Sequence, residues 1–185
     1  MKGRQIFLDH LKDRELAALV VDGRLQDLFI ETDALSPGSI FKGKADRPAK
    51  GQGGIFLSMP EGKGFLRQIK GVSQGQSLLV QVSGYAEAGK AVPVTTKLLF
   101  KSRFVIVTPE APGLNISRRI RDEELRDRLI EFMHDALEPL NYGMILRSSC
   151  LTADFDDILE DARLVLDAAL NVMTDDDPGH CMLLE

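Results

Sequence analysis

Two groups of side chains in this sequence have the chemistry to hold a polyanion. The first is Ser117-Arg118-Arg119 together with Arg147-Ser148, which set guanidinium groups beside hydroxyls. A guanidinium fork grips two phosphate oxygens while a hydroxyl or a backbone N–H takes a third. The competing reading is surface ion pairing with the acidic run 122–124 next door, an interaction of little energetic weight. The second group is Phe56 and Phe65, either side of a glycine-rich stretch, with Lys42, Lys44, Lys63 and Lys90. On one strand face such rings stack bases at about 1–3 kcal/mol each, and the lysines follow phosphates with little sequence preference. The alternative is that both rings are core, as most Phe residues are.

Other chemistries lack their residues. His10, His134 and His180 are scattered, none beside a Ser or Cys at a catalytic spacing. The acidic triplets 122–124 and 175–177 are what a helix start and a chain end ordinarily carry, so Mg²⁺ is a weak reading there. Cys150 and Cys181 have no partners at metal-ligand spacing and read as reduced, inert thiols. Neither a P-loop nor a dinucleotide fingerprint is present. The sequence therefore predicts no catalytic residue, no metal and no cofactor within this chain.

The 185 residues are 44% hydrophobic with a net charge of −5, an ordinary globular composition. That charge hides a division. Residues 36–121 hold 14 Lys and Arg against 4 Asp and Glu, a net +10, and the flanks hold 9 against 24, a net −15. A basic segment between two acidic ones suggests a polyanion-binding centre, or else a basic surface that complements acidic helices. With no long apolar run and no leader pattern, the expectation is a soluble cytoplasmic protein without a membrane segment.

The elements that must position these groups follow from periodicity. Residues 5–8 form a short apolar run, and 15–21 and 24–31 are β-rich runs hinged on Asp22-Gly23, a hairpin signal. Ser36-Pro37-Gly38 then sets a boundary. Short strands are predicted at 39–45, 54–58, 64–68, 77–82 and 92–96, with a loop at 84–90, and five such strands suggest a small closed barrel. Pro93 is expected to break the last of them. One more strand at 103–108 leads through Pro109 and Pro112 into a loop that continues through 115–119. A helix capped by Asp122 and ended by Pro139 follows, then a strand at 142–146 after an Asn141 turn. A second helix starts at Asp154 with Phe155, Ile158, Leu159, Ala162, Leu166 and Leu170 on one face.

In order and spacing, several motifs resemble the ribonuclease E/G family across nearly the whole chain. They are the Asp22-Gly23 turn, Phe41-Lys42-Gly43-Lys44, Gly64-Phe65-Leu66, Gly75-Gln76 before Leu79-Val80-Gln81-Val82, Gly89-Lys90 running into Val94-Thr95-Thr96, and Ile116-Ser117-Arg118-Arg119-Ile120. The resemblance implies an α+β fold in three pieces. Residues 1–35 would be a β-hairpin from a discontinuous RNase H-like subdomain, 36–100 a five-stranded OB-fold barrel, and 101–185 a small α/β subdomain that senses a 5′-monophosphate on RNA. It assigns Phe56, Phe65 and Lys90, with Lys42 and Lys44, to RNA. In Gly143-Met144-Ile145-Leu146-Arg147-Ser148 it assigns Arg147 and Ser148 to the 5′-phosphate, with Ile106 contributing backbone and Arg118 nearby; Ser148 stands where the family carries Thr.

The family's Mg²⁺-holding Asp pair has no counterpart here, so the resemblance implies an RNA-binding N-terminal part of an endoribonuclease. It would take single-stranded, 5′-monophosphorylated RNA and leave cleavage and oligomerisation to regions outside this chain. The alternatives are a non-catalytic RNA-binding regulator that kept the same module, and a protein-interaction module that uses its acidic helices.

Overall fold

A computed structural model describes residues 3–31, 35–49, 51, 53–67, 71–137 and 142–175, and the backbone of 182–184. Pro139, Asn141, His180, Cys181 and the acidic residues 176 and 177 lie outside the described residues. The chain divides into two compact units, Met1–Leu35 and Ser36–Glu185.

The first unit is a three-stranded antiparallel sheet rather than a lone hairpin: β1 (Arg4–Leu11), β2 (Arg14–Val21) and β3 (Arg24–Ile30), in that order. Asp22 and Gly23 both take positive φ (50° and 78°), the two-residue turn that matches strand twist. Asp22 also accepts the Gly3 N–H at 2.8 Å. The turn between β1 and β2, Lys12-Asp13, has Lys12 at φ 60° and carries none of the usual glycine signal, which is why sequence shows only the β2–β3 hairpin plainly.

The second unit opens with a closed, mixed five-stranded barrel. Its strands are β4 (Ile40–Ala49), β5 (Gly54–Met59), β6 (Gly62–Arg67), β7 (Ser77–Val82) and β8 (Val92–Thr95). They neighbour one another in the order β4-β5-β6-β8-β7, and β7 returns to β4. The long β4 makes closure possible: Ile40 to Lys44 pair with β7, and Lys44 to Ala49 pair with β5 across an irregularity between Ala45 and Pro48. Strict alternation sets the faces. Ile55, Leu57 and Met59 are buried, Phe56 is half-buried and Ser58 exposed. Pro93 does not break β8: its carbonyl accepts the Ser83 N–H at 2.9 Å, so the chain uses its oxygen and not the donor it lacks.

The remainder is a four-stranded sheet under two helices. In chain order these are β9 (Phe100–Lys101), β10 (Val105–Thr108), β11 (Leu114–Ile116), α1 (Glu123–Ala136), β12 (Gly143–Leu146), a 3-10 turn at Ser148–Thr152 and α2 (Phe155–Met173). The sheet order is β11-β12-β10-β9, with β11 parallel to β12. The expected loop through 115–119 is therefore corrected: its start is the end of β11, a strand too short for alternation to show. Asp122 caps α1 by accepting the Leu125 N–H at 3.2 Å. On α2 the buried side is Ile158, Ala162, Ala169 and Val172, and Leu170 is exposed, contrary to the expected face. The reason is helical pitch: Ala169 lies about 20° round the axis from Ile158, Leu170 about 120°. Val105, Val107, Met144 and Leu146 complete this core from the sheet. Gly143 is required there, since a Cβ on it would stand 1.7 Å from the Ala111 carbonyl oxygen. A last strand, β13 (Met182–Leu184), pairs with β4 at Ile40 and Phe41.

Candidate nucleic-acid interface

Phe56 and Phe65 face each other across β5 and β6 in direct register, with ring centroids 5.3 Å apart. Both point outward, half-buried, because their neighbours Ile55, Leu57, Gly64 and Leu66 turn inward. Phe65 lies over Gly54, where a Cβ would come within 2.6 Å of the ring, so this glycine seats the aromatic side chain. Cross-strand pairing puts Lys44, Ser58 and Lys63 in one row on the same side. Next to Phe65 a groove of 660 Å³ is lined among others by Arg67, Ser83, Pro93, Thr95, Thr96 and Lys97.

The other two lysines are differently placed. Lys90, in the loop before β8, meets Glu87 at 2.5 Å, and that hydrogen bond and charge hold the Glu87 carboxyl below its ordinary pKa. Lys42 is 8% exposed; its Nζ donates to the Asp175 backbone carbonyl at 3.0 Å and to its carboxylate at 3.3 Å. The structure thus keeps Lys44 with the rings and seats Lys42 at the end of α2. A phosphate at Lys42 would have to displace Asp175.

The arginine groups converge at one end of the four-stranded sheet. Because β11 and β12 run parallel, both deliver their following residues to the same end, and the Ser117 N–H donates to the Leu146 carbonyl at 2.8 Å. β10 is antiparallel to β12 and starts there, with the Arg147 N–H donating to the Phe104 carbonyl at 2.8 Å. Residues 102–104, 117–119 and 147–149 are thereby neighbours. The Arg147 guanidinium donates to the Ser102 carbonyl, and Ser149 Oγ to the Arg103 carbonyl. Arg126 anchors the 117–120 loop by donating to the carbonyls of Ser117 and Ile120. Ile106 sits mid-strand, level with Lys101 on one side and Ile145 on the other.

Arg103, Arg118, Arg119 and Arg147 are exposed, and among the described residues none of them is ion-paired. The acidic run instead meets Arg126, 4.0 Å from Glu123. Sequence reasoning misses Asp161, whose Oδ2 accepts Ser102 Oγ at 2.5 Å and the Phe104 N–H at 2.9 Å and so fixes the turn that carries Arg103. Half-buried on α2, it carries no sequence signal of that role. Cys150 is buried with its Sγ donating to the Phe104 carbonyl at 3.3 Å, and burial pushes the thiol pKa up. Among the described residues no three His, Cys, Asp or Glu side chains are grouped as metal ligands, and no helix is long and apolar enough to cross a membrane.

The fold and the site define a class: an OB-type barrel with an outward aromatic pair, followed by a small sheet-and-helix module whose strand ends gather arginines. The sequence profile of the Ribonuclease E/G family matches residues 100–180. The chain is 24% identical over 171 residues to Ribonuclease E of Nostoc sp. strain PCC 7120, covering 83% of this chain and 25% of that protein. It is 27% identical over 174 residues to Ribonuclease G of Haemophilus influenzae, covering 80% and 35%. With Ribonuclease G of Escherichia coli strain K12 it shares 29% over 158 residues, covering 71% and 32%. Over residues 100–180 the chain thus matches the ribonuclease E/G family, and most of its length is similar to ribonucleases E and G. It spans between a quarter and about a third of the length of these relatives.

Proposed function

We propose that this chain is the RNA-binding portion of a ribonuclease E/G-type endoribonuclease, and that it binds single-stranded RNA with recognition of a 5′-monophosphate. The observation that carries the reading is the registered pair Phe56 and Phe65 on the outer barrel face, inside a segment of net charge +10. Two half-exposed rings offer flat surfaces that any base can cover, and Lys44 and Lys63 lie beside them for phosphates. Lys90 joins them once RNA competes with Glu87. At the second site the guanidinium groups of Arg147 and Arg118, free of ion pairs among the described residues, and the Ser148 hydroxyl bind the terminal phosphate, with the backbone near Ile106 closing the pocket. Arg147, already held by the Ser102 carbonyl, orients its remaining donors toward the ligand. The hydrolytic step belongs to a Mg²⁺-holding segment that these 185 residues do not contain.

The test is a titration of a fluorescent single-stranded RNA of about ten nucleotides, bearing a 5′-monophosphate or a 5′-hydroxyl, into wild type and Arg147→Ala at two salt concentrations. The expected result is salt-sensitive binding that favours the monophosphate and loses that preference in Arg147→Ala. Equal binding of both RNAs by wild type removes the 5′-recognition, and no binding removes the RNA reading.

A further inference from the structure

The segment that joins the two candidate sites is itself basic and open. Leaving β8, it contributes Thr95, Thr96 and Lys97 to the groove beside Phe65. It then buries Leu98 and Phe100 and reaches Ser102, whose carbonyl holds Arg147. On either side of those buried anchors it exposes Lys97, Lys101 and Arg103. Gln81 fixes its path: the side-chain amide donates to the Leu99 carbonyl at 2.9 Å and its oxygen accepts the Leu99 N–H at 2.9 Å. Asp161 fixes its far end through Ser102 and Phe104. Among the described residues no carboxylate is ion-paired with Lys97, Lys101 or Arg103. Lys101 lies on the outermost strand of the sheet, level with Ile106.

We propose that Lys97, Lys101 and Arg103 form a third RNA-contacting surface, a rigid cationic track that carries the backbone of a single strand from the Phe56 and Phe65 face to the arginine cluster. The inference rests on the RNA reading above and deepens it by assigning the connection between its two sites. Residues 97 to 103 span about 20 Å at most, within the reach of a few successive phosphates of one extended polyanion. The rival account is edge protection, in which lysines on an outer strand only discourage pairing with another sheet.

The experiment compares wild type with a Lys97→Gln, Lys101→Gln, Arg103→Gln triple variant, in the full chain, with circular dichroism to check the fold. The probes are a 5′-monophosphorylated RNA of about twelve nucleotides and, by competition, a 5′-monophosphorylated dinucleotide that reaches the arginine cluster alone. For the longer RNA the triple variant is expected to bind about tenfold more weakly at low salt. The slope of log affinity against log salt should fall by about 2, at about 0.7 per lost single-strand phosphate contact. The dinucleotide should be unaffected in a Lys97→Gln, Lys101→Gln double variant, which leaves Arg103 beside the arginine cluster in place. Unchanged affinity and slope for the longer RNA, in a protein that still depends on Phe65 and Arg147, would overturn the track alone and leave edge protection. An equal loss for the dinucleotide in the double variant would place the effect at the arginine cluster and also overturn it. If wild type binds neither probe, the RNA reading fails and the track with it.

Discussion

Lys42 and Asp175 stand 133 residues apart in sequence, yet Lys42 Nζ reaches both the carbonyl and the carboxylate of Asp175, joining the first barrel strand to the end of the second helix. Asp175→Ala is expected to lower unfolding free energy by about 1–2 kcal/mol, because the buried ammonium keeps the carbonyl but loses the charge beside it. Lys42→Met removes the buried charge itself and should cost less. Urea denaturation of the two variants checks the order; a larger loss in Lys42→Met would show that the ammonium is stabilising in its own right.

Gly54 and Phe65 make a second pair whose separation is testable. Phe65→Ala should weaken single-stranded RNA binding by about five- to 150-fold, matching about 1–3 kcal/mol of stacking, with little change in stability. Gly54→Ala should reproduce much of that loss by lifting the ring, and should also destabilise the barrel, since the added Cβ meets the Leu66 carbonyl oxygen at 2.6 Å. Fluorescence anisotropy and thermal unfolding separate the two effects.

Asp161 positions the turn beside Arg147 through Ser102 and Phe104. Asp161→Ala is expected to reduce the preference for a 5′-monophosphate over a 5′-hydroxyl by roughly three- to tenfold, while affinity for the 5′-hydroxyl RNA changes less than twofold. Arg147→Lys should lose the preference as well, because an ammonium keeps the charge but not the planar fork. A parallel loss of both RNAs in Asp161→Ala would show that the turn serves general binding.

The exposed pair of Glu87 and Lys90 gives a prediction with a sign. The Glu87 pKa is lowered in the folded chain, so the contribution of the pair is present above the ordinary carboxylate range and disappears as pH falls through the lowered value. Between pH 6 and 8 the carboxylate is ionised throughout, and on the proposed function it competes with RNA phosphate for Lys90. Glu87→Gln should therefore bind RNA about two- to fivefold more tightly, by the same factor at pH 6 and pH 8. Weaker binding in Glu87→Gln would mean that the pair holds Lys90 in place for RNA.

The barrel was largely legible because alternation and glycine turns are local signals: four of its five strands fall within two residues of their expected bounds, and β4 runs four residues further. Phe56 and Phe65 could be found as a pair, but not their outward direction, which depends on Ile55, Leu57 and Leu66 filling the interior. Lys42 illustrates the opposite outcome. Its place in Phe41-Lys42-Gly43-Lys44 suggests the same exposure as Lys44, and only the return of α2 to the barrel buries it. β11 and the role of Asp161 were illegible for the same reason: each is defined by a partner 30 or more residues away.

The pairing of β13 with β4 sets a timetable for this chain as it leaves the ribosome. β8 emerges early enough to close the barrel, but the outer side of β4 at Ile40 and Phe41 gains its last neighbour only after residues 182–184 have been made. At ordinary translation speed that delay is on the order of ten seconds. During it the nascent barrel presents an unfilled strand edge next to an ammonium whose Asp175 has yet to be added. The outer edge of β4 thus stays unfilled from barrel closure until residues 182–184 have been made.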